Sequence, residues 1–94
     1  MGYRLTAAAD TDLWHIATES AQAFGSSQAL AYGQGLRRSL ELLAKNPRMA
    51  RERTEIAPPM HVHPYGSHLI FYYIDGADIV VVRIRHGREN WLEE

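Results

Sequence analysis

The residues best suited to chemistry lie near the C-terminal end, where His86 follows Arg83 and Arg85 and precedes Arg88. Cleavage of a ribose phosphodiester needs a base beside the 2′-hydroxyl, an acid for the leaving oxygen and cations to hold the developing charge. His86 with Arg83 and Arg88 could supply those roles. The same guanidinium groups are equally suited to gripping a macromolecule through fixed planar contacts, and as plain surface groups they could pair with Glu89, Glu93 and Glu94. Trp91 follows in the charged tail and either folds back over the sheet or offers its ring to a partner. His61 and His63 are two apart on one strand face, a spacing a metal could use. No third ligand accompanies them and the chain has no cysteine, so the expectation is a row of histidines on a solvated edge, with no metal and no cofactor.

Composition sets the bounds for these groups. The chain has 94 residues, enough for a single domain (1–94) and no second core. With 46% apolar and 22% charged residues it matches an ordinary folded globule rather than a disordered chain. The absence of cysteine excludes a disulfide framework, a thiol nucleophile and thiolate metal ligands, and makes a reducing cytoplasm the expected location. Met1-Gly2-Tyr3-Arg4-Leu5 turns polar by Asp10, so neither a signal-peptide core nor a membrane span is expected. A net charge of −1 predicts no strong general attraction to nucleic acid. Nine of the ten cations are arginine, and nine of the ten lie after position 36, whereas Asp10, Asp12 and Glu19 make the first third acidic.

The elements that must position these groups follow from periodicity. Tyr3-Arg4-Leu5 reads as a short strand, and Thr6 as the cap of a helix carrying Asp10 and Asp12 near its positive dipole end. That helix runs to about Phe24 with Ala9, Leu13, Ile16, Ala17, Ser20 and Phe24 on its buried face and Trp14 on the margin, and Gly25 stops it. Ser26 or Ser27 caps a second helix burying Ala29, Tyr32, Gly33, Leu36, Leu40 and Leu43, ended by Asn46-Pro47. So short a connection makes the helices an antiparallel hairpin, with Ala17, Ser20, Ala29 and Gly33 permitting close approach. The stretch from Arg48 to Pro59 reads as a crossing loop. From Met60 the period changes to two, giving strands at Met60–His63, His68–Ile74 and Asp78–His86 joined by tight turns at Gly66 and Gly76, an antiparallel meander. Pro64 cannot donate to a ladder and places the first of these strands at an edge or ends it there. The last strand alternates Arg83 and Arg85 against Ile84 and His86, so its far end emerges onto an arginine-lined surface.

This order, β-α-α-β-β-β with a basic tail, resembles the RelE/ParE toxin superfamily, an α+β fold with a helical hairpin packed on a curled antiparallel sheet. The local phrases look like its ParE branch: Tyr3-Arg4-Leu5-Thr6 with Ala8, Asp12-Leu13 and Ile16; Leu40-Glu41-Leu42-Leu43-Ala44 before Asn46-Pro47-Arg48; Gly66-Ser67-His68 leading into Ile70-Phe71-Tyr72; and Val82-Arg83-Ile84 before His86-Gly87-Arg88. The resemblance covers essentially the whole chain. It implies a type II toxin that poisons DNA gyrase, has no catalytic residue of its own and is silenced by a ParD-like antitoxin. Target contact would then fall to Arg83, Arg85, His86, Arg88 and Trp91. The antitoxin would lie as an amphipathic segment in a groove lined by Trp14, Ala21, Leu30 and Leu42, which otherwise read as scattered surface apolar groups. In the RelE branch the same fold cuts messenger RNA on the ribosome, and there His86, Arg83 and Arg88 would be the catalytic set. The chain departs from that branch in carrying histidine at position 68, where the nucleases often have arginine, and in having Lys45 as its sole lysine.

Overall fold

The computed structural model describes residues 2–88. Seven elements follow in order: β1 (Tyr3–Leu5), α1 (Ala7–Phe24), α2 (Ser26–Lys45), β2 (Glu52–Arg53), β3 (Met60–Tyr65), β4 (His68–Asp75) and β5 (Asp78–His86). They make one five-stranded sheet in the order β1-β5-β4-β3-β2, covered on one face by the helical hairpin.

The helix signals work locally. Thr6 caps α1, its Oγ1 accepting from the Ala9 amide at 3.0 Å. Gly25, at φ 90°, carries the chain from α1 into α2 and is itself the residue before the first turn of α2. Neither Ser26 nor Ser27 caps that helix, because both already lie inside it. Ala9 and Ile16 from α1 meet Leu36, Leu40, Leu43 and Ala44 from α2 over Ile70, Tyr72, Ile79, Val81 and Ile84 of the sheet. Each fully buried aliphatic side chain in this set contributes about 1.5–3 kcal/mol.

Three expectations fail at the hairpin. Phe24, expected in the core, is exposed like every residue of the tip from Ala21 to Gln28, and it borders an open cavity instead of packing against the sheet. Ala17 is exposed too, since it lies about 100° around α1 from the buried Ile16. Gly33 is not a close-approach residue, for a Cβ built there meets nothing within 4 Å. Gly35 is the position that needs to be small: a Cβ there would lie 2.8 Å from the Tyr65 ring carbon Cζ and closer still to its hydroxyl.

The sheet departs from a pure meander at both edges. β1 pairs with β5 in parallel, Tyr3 opposite Ile79 and Leu5 opposite Val81, so the sheet is mixed rather than wholly antiparallel. The long connection through both helices permits this. At the other edge the expected loop contains β2, which pairs Glu52 with His61 and Arg53 with Met60. β3 is therefore an edge strand only beyond His61, and it runs on through Pro64, which faces Leu69, to Tyr65. His61 is correspondingly not on a solvated edge: it is buried, its Nδ1 lies 2.6 Å from the Ala50 carbonyl, and its ring stacks on Tyr72 at 5.2 Å.

Candidate functional site

β5 sets the geometry of the candidate site through one irregularity. Tyr72 pairs with Val81 but Phe71 pairs with Arg83, so Val82 is an extra residue bulged between them. The bulge resets the alternation: Ile79 and Val81 face the helices before it, and Ile84 does so after it. Had Val82 paired regularly with Phe71, Arg83 would have stood opposite the core residue Ile70, and Arg83 and Arg85 would have pointed into the core. The start of α1 holds the bulge in place. The Thr6 amide donates to the Val81 carbonyl at 3.0 Å and the Thr6 hydroxyl to the Val82 carbonyl at 2.7 Å.

Asp12 then takes up the strand edge that β1 is too short to cover. Its Oδ2 accepts from the Ile84 amide at 2.9 Å and from Arg83 Nε at 2.8 Å, while Oδ1 accepts from Arg83 Nη2 at 3.1 Å. This is a bidentate carboxylate–guanidinium pair with an added backbone donor, the strong form of such contacts. Arg83 thus ties β5 to α1, and Asp12, expected near the positive dipole end of α1, has this further role.

The expected target-contact residues are divided between two faces. Arg83 stands opposite Phe71 and Arg85 opposite Leu69, and directly opposed residues share a face, so both belong to the side of the sheet away from the helices. His86 stands opposite His68 on the helix side. Arg88 is exposed just past the strand, where its amide donates to His86 Nδ1 at 3.1 Å. Trp91, like Glu89, Glu93 and Glu94, lies outside the described residues.

The helix side of this end contains a cleft that the sequence did not foretell. The rings of His68 and His86 meet edge to face at 5.5 Å, and the Tyr32 hydroxyl lies 2.7 Å from His68 Nδ1 while donating to the Tyr65 carbonyl at 3.0 Å. They form one wall of a cavity of about 390 Å³ whose other wall is the underside of the hairpin tip, with Ile16, Glu19, Ser20, Ala23, Phe24 and Gln28. Burial pushes the Tyr32 phenol above its ordinary pKa, so the group is a neutral hydroxyl at physiological pH. Helical spacing marks Tyr32 only as a core residue, and its partner His68 is 36 residues away, a separation across which no sequence pattern connects them.

The expected antitoxin-lining residues are all exposed: Trp14 65%, Leu30 64% and Leu42 47%, with Ala21 also on the surface. Trp14 and Ala21 lie two turns apart on one stripe of α1. Leu30 and Leu42 are separated by about a third of a turn around α2, so the four residues do not make a single stripe. Among the described residues there is no group of three histidines or carboxylates that could hold a metal ion, and no helix is long and apolar enough to cross a membrane.

Comparison with known proteins decides the family. The sequence model of the family described as the ParE toxin of the type II toxin–antitoxin system parDE matches residues 3–91. The chain belongs to the ParE toxin family. It is 32% identical to Toxin ParE1 of Caulobacter vibrioides over 88 residues, covering 94% of this chain and 91% of that protein. It is 34% identical to Toxin ParE1 of Mycobacterium tuberculosis strain H37Rv over 87 residues, covering 92% and 89% respectively. A solved structure titled as the chromosomal ParDE TA system from P. aeruginosa superposes with a TM-score of 0.77 over 92% of this chain and 95% of that one. At 19% identity that likeness speaks for the fold. The match over residues 3–91 takes in the helical hairpin and the whole of β5.

Proposed function

We propose that this toxin arrests growth by binding DNA gyrase, a type II topoisomerase of the cytoplasm, and that a ParD-like antitoxin holds it inactive. The observation that carries this reading is the ParE-family match across residues 3–91, which takes in the arginine-bearing end of β5. The engagement of Arg83 supports it. An arginine whose guanidinium is committed twice to Asp12 is a poor candidate for stabilising a phosphorane, whereas it fixes the strand that presents Arg85 and leads into Arg88. Target contact is assigned to Arg85 and Arg88 with the tail that follows, and antitoxin contact to the exposed hairpin residues Trp14, Ala21, Leu30 and Leu42. Purified toxin should inhibit gyrase supercoiling of relaxed plasmid, and antitoxin should relieve the inhibition. Full supercoiling at saturating toxin would overturn the reading.

A second reading has its own observation. Two facing imidazoles beside a tyrosine hydroxyl and Glu19 are an acid–base set that RNA cleavage could use. Primer extension on translated transcripts separates the two: cleavage abolished by His86→Ala but retained in Arg85→Ala would favour the ribonuclease.

A further inference from the structure

The side of the sheet away from the helices carries apolar groups that no helix or strand covers among the described residues. Val62 stands opposite Phe71 and Phe71 opposite Arg83; one step nearer the strand end, Pro64 stands opposite Leu69 and Leu69 opposite Arg85. All six share that face. A large aromatic on a bare sheet face keeps much of its ring in water, as Tyr73 does on this same face at 44% exposure. Phe71 does not, being only 4% exposed. Its cross-strand neighbours do not account for this, since Val62 is smaller and the Arg83 guanidinium is committed to Asp12. Val80 is a different case, a small side chain standing between the larger Tyr73 and Arg4.

We propose that this face is the docking site of the chain's own tail, residues 89–94, with the Trp91 ring over Leu69 and Phe71 and the tail's glutamates set against Arg85 and Arg88. The tail reads Glu-Asn-Trp-Leu-Glu-Glu, two apolar groups flanked by three carboxylates, and the guanidiniums it meets carry the opposite charge. Its starting point is already beside the row. A Cβ at Gly87 would lie 4.0 Å from Leu69 Cγ, and the chain turns at residues 87 and 88. Three residues of chain span at most about 10 Å, the rise from Arg88 back to Arg85, so a chain turning here brings Trp91 to the Leu69–Arg85 row. Its ring then reaches on to Phe71, an aromatic pair that contributes beyond its area. The cleft on the helix side is a worse seat for an acidic segment, because its described lining includes Glu19 and no arginine or lysine. The docking does not depend on what the toxin inhibits. Combined with the proposed function, it means that the target meets the outer side of the docked tail together with Arg88, and that Arg85 acts partly by holding the tail.

The chain has two tryptophans, so purified Trp14→Phe toxin reports on Trp91 alone. Its emission should be blue-shifted from that of the free peptide Glu-Asn-Trp-Leu-Glu-Glu, and its quenching by acrylamide several-fold weaker. Nuclear Overhauser contacts should join the Trp91 ring to the Leu69 methyl groups and the Phe71 ring. Charge is tested in the same background. Arg85→Glu should open the indole to acrylamide, and adding Glu93→Arg with Glu94→Arg should cover it again, the helical circular-dichroism signal staying the same throughout. A Trp91 as accessible as in the peptide would overturn the proposal. So would a shielded Trp91 whose Overhauser contacts run to Phe24 and Tyr32, which would give the tail to the cleft. Shielding unmoved by Arg85→Glu would overturn the pairing of the tail's glutamates with Arg85. None of these readouts involves gyrase, so a toxin that leaves supercoiling intact would sink the proposed function without touching the docked tail.

Discussion

At the scale of single residues, the most consequential contact joins positions 71 apart in sequence, Asp12 and Arg83. Asp12 is largely buried and serves three donors, so Asp12→Ala should cost about 1–3 kcal/mol and lower the melting temperature by several degrees. Arg83 is more than a third exposed, and water screens its charge, so Arg83→Ala should cost less, about 1 kcal/mol. Arg85→Ala should leave melting unchanged and weaken gyrase inhibition; equal melting losses at 83 and 85 would undo the division of labour argued for β5. His63 gives a pH prediction. Burial holds its imidazole below the ordinary 6.5, so as pH falls below that value the unfolded chain takes up a proton the folded chain resists. This contribution to stability is complete above pH 6.5 and is lost on acidification. His63→Gln should therefore flatten the fall in melting temperature between about pH 7 and pH 5, and an unaltered fall would show that other groups govern it. The residue types at the site were legible in the sequence, but their partners were not. Asp12 could be placed on a helix and Arg83 on a strand, yet the bond between them exists only because β1 ends early and exposes the β5 edge.

At the scale of elements, both helices and all three long strands were legible because their apolar periods are unambiguous and Thr6, Gly25 and Asn46 bound the helices. The failures share a cause: burial depends on what stands opposite. Phe24 has the right spacing for the core but borders an open cavity at the hairpin tip, and β2 is too short to carry a period of its own. Gly33 and Gly35 look alike in the sequence and differ in the fold. Gly33→Ala adds a methyl in open space and removes glycine's backbone entropy, so it should stabilise by about 0.5–1 kcal/mol. Gly35→Ala should destabilise by about 1–3 kcal/mol, because the Tyr65 ring packs against Tyr32 at 5.1 Å and cannot simply swing aside. Thermal melts of the two variants check both signs. A stabilising Gly35→Ala would mean the Tyr65 ring yields freely.

At the scale of the whole molecule, the single inserted residue Val82 divides the candidate surfaces. It turns Arg83 and Arg85 to the helix-free side and His86 to the helix side, so one strand end serves two faces with different chemistry. Alternation in the sequence set Arg83 and Arg85 against Ile84 and His86 and expected the arginines at the surface, but it could not show the bulge at Val82 that brings this about after Ile79 and Val81. The account assigns the helix-free face and the tail to the target and the hairpin to other protein chains. Its central claim is inhibition by binding, and the most direct test is gyrase supercoiling with purified wild-type toxin, Arg85→Ala and His86→Ala, each checked for a native melting temperature. The account predicts that wild type abolishes supercoiling, that Arg85→Ala is impaired and that His86→Ala remains an inhibitor; undiminished supercoiling with saturating wild-type toxin would contradict it.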